Sequence, residues 1–219
     1  MADHNYDKPE GQYPTDCELT EALLNRAMIR NRAMTRNRPP ERSAGWLAAL
    51  PKARQVRLLL LDVDGVLTDG SITYVSGGGE AKSFHAQDGL GIRLLQDSGV
   101  AVGVITSRSS EAMERRGRDL KLTYVLQGQQ DKLAAYESLL KSTGLRPPQT
   151  AYMGDDLIDL PLLNRVGFAV APANAVIEIR QRVHFITELA GGQGAVREIC
   201  DLILEAHGNL ARMRFMFDR

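Results

Sequence analysis

The chain has 219 residues, enough for one sizeable α/β domain with a filled core. Lys plus Arg and Asp plus Glu number 27 each, so the whole molecule has no charge bias toward nucleic acid or a membrane surface. Two cysteines, Cys17 and Cys200, are too few for a disulfide framework, no apolar run approaches the ~20 residues of a bilayer span, and the polar, acidic N-terminus is unlike a secretory signal. The expectation is a soluble protein of a reducing cytoplasm.

Residues 1–42 read as a leader. Its first 16 residues are polar, with Pro9, Gly11 and Pro14, and lack the apolar content of a folded segment. A helix is expected over Glu18–Thr35, with Leu19, Leu23, Ala27 and Met34 roughly on one face. Between Asn25 and Arg42 stand six arginines against one acid, Glu41. That stretch reads as a solvated appendage, as sequence upstream of a true start at Met28 or Met34, or as an RNA- or lipid-binding arm. Pro39-Pro40 closes the leader, and Ser43 to Ala53 predicts a short helix carrying Trp46, Leu47 and Leu50 onto the domain that follows.

That domain is expected over 43–208, with a tail at 209–219. It opens on Leu58-Leu59-Leu60-Leu61, an apolar run suited to a fully buried parallel strand. The run ends in Asp62-Val63-Asp64-Gly65, which reads either as an Asx-type turn or as carboxylates whose buried charge a cation offsets. Ser71–Ser76 and Glu80–His85, joined by three glycines, predict a β-hairpin with an alternating apolar face in want of cover. A helix from Asp88 leads to the strand Ala101–Ile105 and the turn Thr106-Ser107-Arg108-Ser109-Ser110. Hydroxyls and amides at a helix start suit an anion, and equally an ordinary N-cap by Ser109 or Ser110.

Tyr124–Leu126 predicts a third strand. Lys132 then stands in the first turn of the next helix, where the macrodipole disfavours a cation, so it is either solvated or facing an anion. The strand Thr150–Met153 ends in Gly154-Asp155-Asp156-Leu157-Ile158-Asp159, more carboxylates than capping alone requires. A helix near Asn174–Arg182, a glycine loop at Gly191–Gly194, an amphipathic helix through Val196, Ile199 and Ile203, and an apolar tail complete the chain.

Alternating strands and helices predict a three-layer α/β/α domain whose parallel strands end along one edge, where sites of such folds form. On that edge stand Asp62 and Asp64, Thr106 and Ser107, Lys132, and Asp155, Asp156 and Asp159. Oxygen-only ligands favour a hard cation such as Mg2+, and carboxylates with a lysine and a hydroxyl suit phosphoryl transfer through an attacking carboxylate.

Together, Asp62-Val63-Asp64-Gly65-Val66-Leu67-Thr68-Asp69, Thr106, Lys132 and Gly154-Asp155-Asp156-Leu157-Ile158-Asp159 resemble the four motifs of the haloacid dehalogenase superfamily. The hairpin, Phe84–Ile92, Gln127-Gly128 and Gly191–Glu198 resemble its sugar-acid phosphatase branch, and the match spans about 55–208. The resemblance implies a Rossmann-like fold with a β-hairpin flap and no large cap. It implies Asp62 as nucleophile, Asp64 as general acid/base, and Mg2+ held by Asp62, the Asp64 carbonyl and Asp155. Thr106 and Lys132 would hold the phosphoryl group, Asp156 and Asp159 would support the metal or Lys132, and Gly65, Ser107 and Arg108 would meet the substrate.

The implied substrate is 3-deoxy-D-manno-octulosonate 8-phosphate, a precursor in lipopolysaccharide biosynthesis, with a nine-carbon sugar-acid 9-phosphate as the alternative. A homotetramer is implied too, with hairpins forming a shared barrel and a neighbour's tail closing the site. No nucleic-acid or membrane partner is expected, unless the arginine-rich leader acts as a binding arm. Ser107 departs from the glycine usual in the family, and the leader has no family counterpart.

Overall fold

The computed structural model describes residues 42–77 and 79–217; the helix expected over Glu18–Thr35 lies outside them. Helix α1, Ala44–Ala53, starts where the Ser43 hydroxyl accepts the Trp46 amide at 3.2 Å. It buries Trp46, Ala49 and Ala53 on one stripe. Leu47, expected on that stripe, is 54% exposed, because it sits one residue, about 100° of helix, away from Trp46.

Strand β1, Leu58–Leu61, is the buried leucine run. The chain continues through a hairpin of β2, Thr73–Tyr74, and β3, Glu80–Ala81, then α2, Ala86–Asp97, β4, Ala101–Ile105, and α3, Glu111–Leu120. Next come β5, Tyr124–Leu126, α4, Lys132–Thr143, β6, Thr150–Met153, α5, Leu160–Leu163, and β7, Phe168–Ala171. Helix α6, Ile177–Arg180, strand β8, Phe185–Ile186, helix α7, Ala195–Ala206, and helix α8, Leu210–Phe215, finish it.

The six-stranded sheet has the order β5-β4-β1-β6-β7-β8 and every pairing is parallel. After β1 the chain builds outward through β4 and β5, then crosses back to lay β6 on the opposite side of β1. The end of β1 is thus the topological switch point, where neighbouring connections diverge and leave a crevice.

Side chains alternate across a strand, so the four leucines serve two cores. Leu59 and Leu61 join residues of α1, α2, α3, α7 and α8, while Leu58 and Leu60 join Tyr136, Leu139, Leu162, Leu163 and Ile179 of α4, α5 and α6. Burying each leucine contributes about 1.5–3 kcal/mol, which holds β1 rigidly in the middle.

Two expectations need correcting. The hairpin pairs only two residues per strand, and Ile72, Tyr74 and Val75 are exposed, so a lack of cover ends the ladder early. The helix expected over Asn174–Arg182 is a single turn, Ile177–Arg180, because Ala173 and Ala175 are held in a loop by bonds to Leu189 and Pro172 carbonyls. The tail is divided: Leu210 and Met213 join the core, while Phe215, Met216 and Phe217 stay exposed.

Candidate active site

Parallel pairing aligns the ends of three strands. The register Leu61↔Val104 puts Thr106 one residue beyond the level of Asp62, and Leu61↔Met153 puts Asp155 one beyond it on the other side. The loop after β1 is tight: the amides of Leu67 and Thr68 both donate to the Val63 carbonyl, at 2.9 and 3.0 Å. Gly65 takes φ +88°, and a Cβ there would strike the Asp155 carboxylate, so glycine is required twice over. The glycine loop presses on the same turn, since a Cβ at Gly191 would overlap the Gly65 carbonyl.

The centre of the site is Lys132, the first residue of α4. Its ammonium lies 2.9 Å from Asp62 Oδ1, 2.6 Å from Asp159 Oδ1 and 3.3 Å from the Tyr152 hydroxyl. Burial opposes its charge, but Asp62 and Asp159 outweigh burial and hold its pKa above the ordinary lysine value. The lysine at a helix start is therefore explained by anions in front of it.

Asp159 is fully buried and fully engaged. Its Oδ1 accepts from Tyr152 and Lys132, both at 2.6 Å, and its Oδ2 accepts the amides of Asp155 and Asp156 at 2.9 and 3.2 Å. Asp62, Asp155 and Asp159 bring carboxylate oxygens within 4.8 Å of one another. Because four bonds use the roughly four lone-pair directions of Asp159, Asp62 and Asp155 carry the oxygens open to a cation. Asp155 Oδ1 is buried with no hydrogen-bond partner among the described residues.

Burial first, then the charge of Asp159, pushes the Asp62 carboxyl up to about 6. Burial, then Asp159 and Asp62, pushes Asp155 up to about 7. Crowded buried carboxylates with an orphaned oxygen fit a hard divalent cation, which would replace their protons.

Asp156 turns away. It is exposed, and its carboxylate caps the 3-10 turn Leu157–Asp159 by accepting the Leu157 amide at 2.7 Å. Thr106 is buried, and its hydroxyl accepts the Arg108 amide at 3.3 Å. Ser107 is half-buried, its carbonyl held by the Gln130 side chain at 3.0 Å. Ser110, not Ser109, caps α3 by accepting the Met113 amide.

Asp64 belongs to a second group. Its Oδ1 is paired with the Lys82 ammonium, and its Oδ2 lies 3.8 Å from Arg108 Nε. Arg108 is in turn paired with Glu80. No sequence motif marks Lys82 and Glu80, from the hairpin, or Tyr152, from β6, as parts of the site. Glu80-Ala81-Lys82, two opposite charges on one side of an expected strand, was the available signal.

Residues 122–199 match the family model of haloacid dehalogenase-like hydrolases. The 3-deoxy-D-manno-octulosonate 8-phosphate phosphatase of Escherichia coli is 46% identical over 161 residues, which is 74% of this chain and 86% of that one. The crystal structure of that phosphatase from Moraxella catarrhalis, in complex with a magnesium ion, a phosphate ion and the sugar acid, is 42% identical. It aligns at a TM-score of 0.76 over 77% of this chain and 97% of its own. The cobalt-bound Haemophilus influenzae phosphatase is 38% identical, with a TM-score of 0.72 over 75% of this chain and 99% of its own. The chain therefore belongs to the haloacid dehalogenase-like hydrolases, in the family of the 3-deoxy-D-manno-octulosonate 8-phosphate phosphatases.

Proposed function

We propose that this phosphoric monoester hydrolase converts 3-deoxy-D-manno-octulosonate 8-phosphate to the free sugar acid and phosphate, as a step of lipopolysaccharide biosynthesis. The observation that carries this reading is the buried Asp62–Lys132–Asp159 chain at the switch point, with Asp155 beside it. Asp62, Asp155 and the Asp64 carbonyl would hold Mg2+, which when bound neutralises the carboxylates and draws charge from the phosphoryl oxygens.

An Asp62 oxygen attacks phosphorus, and the bond to the sugar oxygen breaks with its electron pair leaving on that oxygen. Asp64 gives the leaving oxygen a proton, then takes one from the water that attacks phosphorus and returns the Asp62 carboxylate. Lys132, the Thr106 hydroxyl and the turn at Gly65 and Ser107 stabilise the phosphoryl oxygens, and Arg108 faces the sugar acid. Asp159 positions Lys132, while Asp156 caps the turn that carries Asp159.

Residues 43–208 carry the activity in this reading, without residues 1–42. Exposed Ile72, Tyr74, Val75, Phe215 and Phe217 support assembly of a homotetramer through hairpin and tail. No described helix is long and apolar enough to cross a membrane, and a cytoplasmic enzyme acting on a small sugar-acid phosphate fits the buried free thiol of Cys200. The test is phosphate release with Mg2+ from the eight-carbon 8-phosphate against a nine-carbon sugar-acid 9-phosphate. Higher kcat/KM on the eight-carbon substrate is expected, and preference for the nine-carbon one would overturn the substrate assignment.

A further inference from the structure

We propose that Lys82, on the hairpin, is a positioning residue for Asp64. The inference rests on the reading of Asp64 as proton donor and acceptor. Lys82 pairs with one oxygen of that carboxylate, Oδ1, and its own side chain is 4% exposed. The other oxygen, Oδ2, is buried with no hydrogen-bond partner among the described residues. A carboxylate held at one oxygen by Lys82, with Arg108 Nε 3.8 Å from the other, is restricted in the directions its second oxygen can take, which proton transfer within hydrogen-bond reach requires.

The pair belongs to a row of alternating charge. Glu80 lies 3.7 Å from the Lys82 ammonium and also pairs with Arg108, whose Nε is 3.8 Å from Asp64 Oδ2. All of it depends on the hairpin, because Glu80 stands in β3 and Lys82 one residue beyond its end. The fold gains little from this arrangement. β2 is exposed, β3 is exposed or half-buried, and neither strand contributes a residue to the cores. A desolvated ion pair adds little net stability, so its use here is orientation. The hairpin thereby sets where Asp64 points.

The test uses the full chain with Mg2+ and the variants Lys82→Met, Lys82→Arg, Asp64→Asn and Asp64→Asn/Lys82→Met. Two substrates separate proton transfer from the rest: the sugar-acid 8-phosphate, whose alkoxide must be protonated to leave, and p-nitrophenyl phosphate, whose phenolate leaves unprotonated. Lys82→Met is expected to lower kcat on the sugar phosphate about 10- to 100-fold, with KM and the pre-steady-state nitrophenolate burst rate within roughly threefold of the parent. Lys82→Arg should recover most of the loss, and the double variant should turn over no more slowly than Asp64→Asn.

A nitrophenolate burst slowed as much as sugar release, a rise in KM alone, or a loss that adds to that of Asp64→Asn would overturn the proposal. If Asp64→Asn itself slows the burst as much as it slows sugar release, the proton-transfer role of Asp64 fails, whatever Lys82 does.

Discussion

The two halves of the site are built in opposite ways. Around Lys132, every partner comes from the end of β1, β6 or the turn after β6, each anchored in the sheet, and Asp159 alone accepts four hydrogen bonds. Around Asp64, two of the four charges come from a ribbon with two paired residues per strand. The half that must grip a phosphoryl group is over-determined. The half that must exchange a proton with a leaving group and then with water hangs on a small external element. Rigidity is thus spent where charge must be preorganised, and adjustability is kept where the reacting partner changes between steps.

Lys132→Met probes the rigid half and carries the largest effect on stability. Removing the ammonium leaves Asp62 and Asp159 buried without their cation, so a stability loss of about 3–5 kcal/mol is expected, as for other broken buried pairs. Activity should fall on the order of 10²- to 10³-fold, as for loss of one preorganised donor. Denaturant melts and phosphate release measure the two together; loss of activity without loss of stability would break the contrast.

The carboxylates of the same half give a pH signature. Asp155 at about 7 and Asp62 at about 6 lie above their ordinary 3.8, so in the metal-free protein they favour the fold at low pH and lose that contribution as pH rises through 6 and 7. A cation must displace their protons below that range and none above it. Mg2+ should therefore bind more weakly at pH 5.5 than at pH 8, and raise the melting temperature more at pH 8. An equal or greater rise at pH 5.5 would contradict the assignment of Asp62 and Asp155 as ligands.

Glu80→Gln probes the hairpin half and has the smallest effect. It weakens the hold on Arg108 without emptying a core, so stability should stay within about 0.5 kcal/mol while kcat/KM falls a fewfold. A stability loss matching that of Lys132→Met would show that the ribbon is structural and dissolve the distinction.

Much of the rigid half was legible in the sequence because its signals are local. Leu58–Leu61 ending in Asp62 and Thr150–Met153 ending in Asp155 each announce a buried strand with a charge at its tip, and Lys132 was conspicuous at a helix start. What was not legible depends on contacts between distant residues. Lys82 meets Asp64 across 18 residues and Arg108 meets Glu80 across 28, and neither pairing has a spacing rule. Nor does spacing alone say which of Asp155, Asp156 and Asp159 turns inward. The 3-10 turn decides it, sending Asp159 under the loop and leaving Asp156 at its solvent-facing start. The hairpin is shorter than its alternation suggests because alternation marks a strand's willingness to pair and says nothing of cover for its faces.

In this mechanism Asp62 carries the phosphoryl group between the two displacements. This role is tested by mixing the enzyme and Mg2+ with 32P-labelled sugar-acid phosphate, quenching in acid within a single turnover and mapping the label by peptide digestion. Label is expected on the peptide containing Asp62, and neither label nor turnover in Asp62→Asn. Label on another residue, or substantial turnover by Asp62→Asn, would contradict it.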